Sequence, residues 1–361
     1  MRPTYLAALL IIVQSAQASP ERFYLGTYTR ESASDGIYTA TFDSETGEID
    51  GLELAAEANN PNYLALSPDG KTLYAVGESD GPAVMAFSVS DEGKLTALNS
   101  QPSGGGGACF VSVHPSGSPV FVANYGTGTL SAFPIEADGT LGEQSGSVQL
   151  EGSGPNAKRQ KQPHAHSIYP MGDFVVACDL GTDDVPVFRL EDGELVPADG
   201  EFAKVPAGGG PRHLAFSRDG KTAYVANEMG LSVTIFDVDT ANGKLTARET
   251  VPTHGEADSA LTLAAIKTDP TGKWVTVSSR GDDVFVVFRV TESGGLEEIQ
   301  RVSAAVEAPR DFSYDPSGKW LLSAGQNDHR VVVFSVDPEN GKLTATDETV
   351  SVGKPVCVVF E

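Results

Sequence analysis

Short apolar runs of about four to six residues recur along the whole chain and are separated by turns rich in glycine, proline and aspartate. Residues 72–76, 120–123, 174–177 and 331–336 are examples, and they are rich in the β-branched and aromatic residues that favour strands. Beyond the N-terminal segment, no helical period of 3.6 residues persists for ten residues. The pattern therefore predicts an all-β fold built from many short strands.

Two turn signatures divide these strands into repeats. The first has the form x-P-x-G and occurs at residues 67–70, 114–117, 169–172, 269–272 and 315–318, with a variant lacking proline at 217–220. The second is an acidic turn that ends in Leu or Ile, and its seven copies have glycines at positions 47, 93, 139, 193, 243, 294 and 341. The spacing of roughly 46 to 54 residues is typical of propeller blades.

Each repeat accommodates about four strands, which predicts a seven-bladed β-propeller. A solenoid or a stacked sandwich is the alternative, but a blade-length period with two hairpin turns favours the propeller. The N-terminal run 23–28 resembles a second strand without its predecessor, and the C-terminal run 355–360 resembles the missing first strand. We therefore expect the C-terminal strand to pair with the N-terminal one and complete the first blade, which removes an exposed sheet edge.

The first residues have the features of an export signal. Arg2 precedes an apolar stretch at residues 5–13 that is too short to span a bilayer, and an A-x-A cleavage motif ends at Ala18. This predicts a signal peptide over residues 1–18, a single propeller domain over 19–361, and a periplasmic or secreted protein. A disordered N-terminus or a membrane anchor is the alternative.

The composition limits the partners. A formal net charge of −24 disfavours nucleic acid and anionic membrane surfaces, although a few arginines in a pocket still allow an anionic small substrate. The three cysteines, Cys109, Cys178 and Cys357, lie in apolar runs and are odd in number, so we expect buried thiols rather than disulfides. A closed propeller needs no partner to fold, so a monomer is expected.

Polar residues stand at equivalent positions of successive repeats. The second strand of each unit ends at Tyr28, Glu78, Tyr125, Asp179, Glu228, Arg280 and Gln326. Five residues before each x-P-x-G turn, the preceding strand carries Asn62, Cys109, His164, Arg212, Ala264 and Arg310. These two columns predict a polar funnel on the propeller axis, where arginines bind anions and a histidine exchanges protons. Solvent-exposed strand ends are the alternative.

The densest candidate site is the segment 162–167, which contains His164 and His166 on one strand face. Two such histidines could bind a metal, but the spacing supplies no third ligand, so we expect neither a metal nor a cofactor. The sequence contains no G-x-S-x-G elbow, Walker loop or dinucleotide fingerprint. A covalent serine mechanism therefore has no support.

The chain resembles the lactonase-family β-propellers, which include bacterial 6-phosphogluconolactonases and fungal carboxymuconate cyclases. The resemblance covers nearly all of the chain beyond the signal and rests on the motifs at residues 24–28, 67–71, 122–126, 163–167, 179–183, 210–214, 226–228 and 279–281. It implies an active site of one histidine, Arg212, Glu228 and Arg280. The H-x-H-S motif favours His166, whereas counting back from the turn favours His164, and both remain candidates.

The resemblance implies a lactone hydrolase in which the histidine or Glu228 takes a proton from water and an arginine stabilises the oxyanion. Contacts to the substrate are expected from Arg310, Asp179, Gln326 and Asn124. A cycloisomerase acting on a muconate-type lactone and a non-catalytic ligand-binding or protein-binding propeller are the alternatives. Since sugar phosphates are cytoplasmic, the predicted export signal favours a different, extracytoplasmic lactone.

Overall fold

The structure, a computed structural model, describes residues 20–78, 81–255 and 258–361, and the predicted signal peptide lies outside these residues. All of the regular elements in these ranges are β-strands, and none of the described residues forms a helix long and apolar enough to cross a membrane. The strands form seven antiparallel sheets. The predicted all-β class is confirmed.

The strands follow one another along the chain in groups that correspond to the repeats. The first group is β1 (Glu21–Thr27), β2 (Gly36–Phe42) and β3 (Ile49–Glu57). The second and third groups are β4 (Asn59–Leu66), β5 (Thr72–Glu78), β6 (Pro82–Val89), β7 (Leu95–Pro102), β8 (Ala108–Val113), β9 (Val120–Asn124), β10 (Thr129–Phe133) and β11 (Gly146–Gln149). The fourth group is β12 (Ala165–Met171), β13 (Phe174–Asp179), β14 (Asp184–Val185), β15 (Val187–Glu191), β16 (Glu194–Pro197) and β17 (Ala203–Lys204).

The remaining strands complete the ring. The fifth group is β18 (Pro211–Phe216), β19 (Thr222–Asn227), β20 (Ser232–Asp239) and β21 (Lys244–Pro252). The sixth group is β22 (Thr262–Thr268), β23 (Trp274–Arg280), β24 (Val284–Val290) and β25 (Leu296–Ser303). The last strands are β26 (Pro309–Tyr314), β27 (Trp320–Gly325), β28 (Arg330–Val336), β29 (Leu343–Ser351) and β30 (Pro355–Phe360).

The C-terminal strand closes the propeller. β30 pairs antiparallel with β1, so that Phe23 lies opposite Phe360 and Leu25 opposite Val358. The first blade therefore has the order β3-β2-β1-β30. The innermost strands β30, β4, β8, β12, β18, β22 and β26 each contact the next around a complete ring. Seven blades and closure by the two termini are both confirmed.

The fourth blade departs from the pattern that the sequence predicts. Tyr169 and Pro170 belong to β12 instead of a turn, and the chain reverses in two residues at Gly172 and Asp173. Gly172 has φ of 63°, which a two-residue hairpin loop requires and glycine adopts at little cost. Pro170 is tolerated because β12, among the described strands, pairs only with β13 and needs no N–H on its other edge. The hairpin is therefore shorter than in the other blades.

A recurrent contact joins six of the seven pairs of neighbouring blades, in which an aromatic side chain on the second strand of one blade contacts the glycine of the acidic turn in the following blade. Tyrosine hydroxyls donate to these glycine carbonyls in the pairs Tyr24–Gly93 (3.2 Å), Tyr74–Gly139 (3.0 Å) and Tyr224–Gly294 (3.2 Å). Phe174, Trp274 and Trp320 pack on Gly243, Gly341 and Gly47 in the same way. Between the third and fourth blades, the Ser145 hydroxyl donates to the Gly193 carbonyl instead. The repeated turn thus serves as the surface on which neighbouring blades pack.

Candidate active site

A funnel opens at one end of the propeller axis, with a volume of about 630 Å³. Six of the seven residues at the ends of the second strands line it, namely Tyr28, Glu78, Tyr125, Glu228, Arg280 and Gln326. From the first strands, Asn62, Cys109 and Arg310 line it, whereas Ala264 is buried. Most of the residues that the sequence places at equivalent positions of the repeats therefore do meet at the funnel.

β-Bulges in the innermost strands direct side chains toward the floor of the funnel. The register shifts by one residue between Ala108 and Phe110, Ala165 and Ser167, Pro211 and His213, and Pro309 and Asp311. The extra residues are Cys109, His166, Arg212 and Arg310. A bulged residue leaves the hydrogen-bond ladder and turns its side chain out of the regular alternation. His166 is therefore the structural equivalent of Arg212 and Arg310.

His164 lies outside the funnel wall. Its ring stacks on Tyr125 with centroids 4.4 Å apart, and its Nδ1 donates to the Tyr125 carbonyl at 2.8 Å. Its backbone N–H donates to Asp179. Counting back from the turn points to His164 because the short hairpin of the fourth blade shifts that count by two residues. Between the two candidates, the structure brings His166 to the funnel.

Glu228, which directly follows β19, lies at the centre of the site. Its side chain is buried, and its Oε2 lies 3.1 Å from Arg212 Nε and 3.2 Å from Arg280 Nη2. Its Oε1 accepts a hydrogen bond of 2.8 Å from Arg159 Nη2. Burial alone would raise the pKa of Glu228, but the charges of Arg280 and Arg212 outweigh it and lower this pKa to about 2. The carboxylate is therefore ionised and surrounded by guanidinium groups.

Arg212 lies beneath the funnel floor and is fully buried, instead of facing the cavity. Burial, together with the charges of Arg310 and Arg280, lowers its pKa to about 9. Within the described residues, the Nε–H groups of Arg212 and Arg280 have no aligned acceptor, although Arg212 Nε is close to the Glu228 carboxylate. An unsatisfied buried donor costs about 1–3 kcal/mol, so this concentration of positive charge is held at a cost in stability.

His166 supplies a neutral imidazole at the funnel floor. Burial, reinforced by the charge of Arg212, lowers its pKa well below the ordinary value of 6.5. Its Nδ1 lies 3.9 Å from the Sγ of Cys109. Burial raises the pKa of that thiol to about 12, so Cys109 remains protonated and is a poor nucleophile. The histidine is therefore the group at this position that is able to accept a proton.

Arg310 brings an unneutralised charge into the funnel. Its guanidinium lies over the ring of Tyr28, 5.5 Å from the centroid. It forms no ion pair with a carboxylate in the part of the chain that the structure describes, whereas Arg30 pairs with Glu78. Lys354 also lines the wall and donates to the carbonyl of Arg30. The funnel is therefore suited to an anionic group although the whole chain carries a charge of −24.

Two expected substrate contacts lie elsewhere. Asp179 is 1% exposed and accepts bonds from the backbone N–H groups of His164 and Gly181. Asn124 is fully buried and donates to the carbonyl of Ser103 at 3.0 Å. Neither lines the funnel, because each saturates backbone groups where a strand ends and the chain turns. The structure therefore does not bring either of these side chains to the funnel.

Sequence reasoning missed Arg159, which contacts Glu228 from the connection between β11 and β12. The signal that could have indicated it is the longest interval between repeat glycines, from 139 to 193, which contains the basic run 158–161 in an acidic chain. No group of three or more His, Cys, Asp or Glu side chains within the described ranges is arranged to hold a metal ion.

Comparisons with known proteins agree with this architecture. A family model described as "Lactonase, 7-bladed beta-propeller" matches residues 22–360. The chain is 36% identical over 355 residues to a 6-phosphogluconolactonase of Bacillus subtilis (strain 168), covering 93% of this chain and 97% of that protein. It is also 31% identical to the Formosa agariphila 6-phosphogluconolactonase over 304 residues, which is 80% of this chain and 85% of that protein.

Two solved structures superpose closely. A candidate 6-phosphogluconolactonase of Bacteroides fragilis has a TM-score of 0.89 at 36% identity, covering 96% of this chain and 99% of that one. The periplasmic gluconolactonase of Pseudomonas aeruginosa has a TM-score of 0.88 at 31% identity, covering 95% and 99%. The similarity therefore extends over the entire propeller in both cases.

Proposed function

Since this chain belongs to the lactonase family of seven-bladed β-propellers, we propose that it opens a sugar-type lactone by water attack in the axial funnel. The observation that carries this proposal is that neutral His166 and the cations Arg280 and Arg310 line the same funnel as the buried carboxylate of Glu228. A proton acceptor and donors for a developing oxyanion are the two requirements of ester hydrolysis at neutral pH.

In the proposed reaction, water attacks the lactone carbonyl carbon while a ring nitrogen of His166 takes its proton. The resulting tetrahedral oxyanion is stabilised by Arg280 or Arg310. Collapse of this intermediate breaks the bond between the carbonyl carbon and the ring oxygen. The imidazolium returns its proton to the departing alkoxide, so the product is an open-chain hydroxy acid and the histidine is again neutral.

Glu228 acts on the arginines instead of serving as the base. Its pKa of about 2 makes it a weak proton acceptor, and both of its oxygens already face guanidinium groups. Arg212, which lies beneath the floor, holds Glu228 and adds positive potential without touching the substrate. Our proposal therefore gives the proton transfer to His166, which is neutral at the funnel floor, instead of to Glu228.

The substrate and its location form the finer part of the proposal. The unpaired charge of Arg310 suits a carboxylate or phosphate on the substrate, or the carboxylate of the product. The export signal predicted over residues 1–18 favours an unphosphorylated lactone outside the cytoplasm, in line with the related periplasmic gluconolactonase. N-terminal sequencing of the protein from cell fractions tests this location, and a cytoplasmic chain that keeps residue 1 would contradict it.

The test of function is proton release at constant pH by the chain beginning at Ser19. The substrates are 6-phosphogluconolactone, gluconolactone and a simple aliphatic lactone. His166→Gln is expected to lower kcat/KM about 10²- to 10⁴-fold, the usual contribution of a general base. His164→Gln, which alters only the support of Tyr125, is expected to lose less than tenfold.

His114→Gln is the bystander control, because His114 is half-buried beside a turn and does not line the funnel. Thermal unfolding of all variants separates lost catalysis from lost folding. If no lactone is opened faster than its spontaneous rate, the proposed hydrolase activity is wrong. If His164→Gln is as inactive as His166→Gln in a folded protein, the assignment of the base is wrong.

A further inference from the structure

The connection between β11 and β12 forms part of the funnel wall. We call residues 151–163 the arm. Most of the arm is exposed to solvent, but Arg159 lines the funnel and Gln160 is completely buried. Because one of its side chains is buried and the neighbouring one lies in the funnel, this surface connection is held in a fixed position.

Gln160 anchors the arm to the body of the propeller. Its Nε2 donates to the carbonyl of Leu180 at 2.9 Å and to Asp183 Oδ1 at 2.7 Å, and its Oε1 accepts from the backbone N–H of Asn156 at 3.0 Å. Asp183 also accepts from the N–H groups of Gly208 and Gly210 at 2.7 and 2.8 Å. Gln160 therefore links the arm to the fourth blade and to the loop that leads into the fifth.

A tight turn presents Arg159 to the site. Asn156 Oδ1 accepts from the backbone N–H groups of Lys158 and Arg159 at 3.1 and 3.2 Å, and the N–H of Gln160 donates to the Asn156 carbonyl at 2.8 Å. This side-chain bonding fixes the backbone of a turn without regular secondary structure. The direction of the Arg159 side chain is thus set before any ligand arrives.

Arg159 makes the best-aligned contact to Glu228. Its Nη2 donates to Glu228 Oε1 at 2.8 Å and to the Tyr125 hydroxyl at 3.2 Å. Arg212 and Arg280 approach Oε2 as ion pairs at 3.1 and 3.2 Å, whereas Arg159 donates the shorter, well-aligned hydrogen bond to Oε1. Without Arg159, Oε1 of Glu228 would lose its hydrogen-bond donor, and the carboxylate would be held only through Oε2 by the ion pairs with Arg212 and Arg280.

We propose that Arg159 is a positioning residue of the lactone site, which fixes the Glu228 carboxylate so that Arg280 stays directed at the substrate, and that Gln160 acts through it by holding the arm. The inference rests on the proposed hydrolase function for its kinetic readout. Small misplacements of a group that stabilises the transition state cost up to about 10²-fold in rate, so an exposed arm can govern turnover.

The kinetic test compares Arg159→Met with Lys158→Met. Both remove one positive charge from the same turn, but Lys158 is exposed and does not line the funnel. With the lactone that the wild type opens fastest, we expect Arg159→Met to lower kcat about 10- to 100-fold with a smaller change in KM. Lys158→Met should stay within about twofold of wild type, and Arg159→Lys should recover part of kcat by restoring one donor to Oε1.

A double-mutant cycle tests the role of Gln160. Gln160→Met keeps the length of the side chain but removes the bonds to Leu180 and Asp183. If Gln160 acts through Arg159, the double variant Arg159→Met, Gln160→Met loses no more kcat than Arg159→Met alone. Additive losses would show that Gln160 acts independently and would overturn that part of the proposal.

A readout without substrate separates this inference from the proposed function. Trypsin cleavage of the bond between Lys161 and Gln162 reports whether the arm is fixed to the propeller, because a loop held by contacts with the protein body resists the protease. We expect slow cleavage in wild type and Lys158→Met, and faster cleavage in Arg159→Met and Gln160→Met. If wild type opens no lactone but these cleavage rates differ as expected, the proposed function fails and the arm remains supported. Equal kcat and equal cleavage in Arg159→Met and Lys158→Met would overturn the inference.

Discussion

At the scale of single residues, burial and charge decide the chemistry of this funnel. Burial favours neutral forms, and it lowers the pKa of both His166 and His213 well below 6.5. The charge of Arg212 acts in the same direction on both rings. Glu228 shows the opposite balance, because the arginine charges exceed the effect of burial on its pKa. One buried cluster thus holds neutral imidazoles beside an ionised carboxylate.

This balance predicts how stability depends on pH. In the unfolded chain His166 and His213 take up protons as the pH falls through about 6.5, whereas the folded chain resists this uptake. The unfolded state therefore binds more protons, and the free energy of unfolding falls by about 1 kcal/mol per histidine between pH 6.5 and 5.5. His213→Phe should roughly halve that decrease.

Urea unfolding at pH 7.5, 6.5 and 5.5 measures this effect. Phenylalanine is a suitable replacement because His213 packs edge-to-face against Tyr63 and Phe110. If the free energy of unfolding fell as much with decreasing pH in His213→Phe as in wild type, His213 would not be the buried neutral group that the structure indicates.

At the scale of elements, the innermost strand of each blade contains a bulge, and in every blade except the first a hairpin joins it to the second strand. The sequence predicted the hairpin turns and placed Arg212 and Arg310 at equivalent positions. It left His164 and His166 unresolved, because the count depended on a hairpin whose length differs in the fourth blade. Bulges depend on pairing between strands, so local propensity carries little information about their position.

The contact between blades gives a prediction at this scale. Gly341 has φ of +71°, and a Cβ atom added there would lie 2.3 Å from the Trp274 ring. Gly220 has a similar φ of +69°, but nothing lies within 4 Å of an added Cβ. Both alanine variants carry the strain of a left-handed backbone, at about 1 kcal/mol. Gly341→Ala should cost about 1–3 kcal/mol more, because it also overpacks the interface.

Thermal or urea unfolding of the two glycine variants isolates that packing contribution, since the backbone strain is matched. Equal destabilisation of Gly341→Ala and Gly220→Ala would mean that the aromatic cover over the turn glycines does not hold the blades together.

At the scale of the whole molecule, the closed ring joins the two ends of the chain. β30 contributes the buried residues Val356, Cys357 and Val358 to the first blade, and it touches the innermost strands of both neighbouring blades. The ring also concentrates positive charge on the axis of a protein with a net charge of −24. Both properties arise only when all seven blades are assembled.

Removal of residues 355–361 should abolish cooperative folding. It deletes the innermost strand of the first blade and leaves a sheet edge open to pairing with other chains. Removal of Glu361 alone is the control, because it keeps β30 and loses two contacts with Arg22: a 3.3 Å ion pair, worth about 0–1 kcal/mol at a surface, and a 2.8 Å backbone hydrogen bond. Circular dichroism melting and size-exclusion chromatography measure the outcome. A sharp transition near the wild-type temperature in the longer truncation would show that closure is dispensable.

The sequence by itself determined the number of blades, the closure by the terminal strands and half of the charged residues that line the funnel. These features follow from local turn chemistry repeated at a fixed period, which fixes where each strand begins and ends. Glu228, Arg280 and Arg310 could therefore be placed at the axis by counting alone.

Only the tertiary structure decided which histidine faces the funnel, that Arg212 lies beneath its floor, and that Arg159 reaches Glu228 from the arm. The first depends on a bulge, the second on burial between blades, and the third on bonds from Gln160 to the fourth blade. Each is a contact between segments far apart in the chain or on different strands. A repeat period reports equivalent positions, but it contains no information on the direction in which a side chain points once the regular pairing is broken.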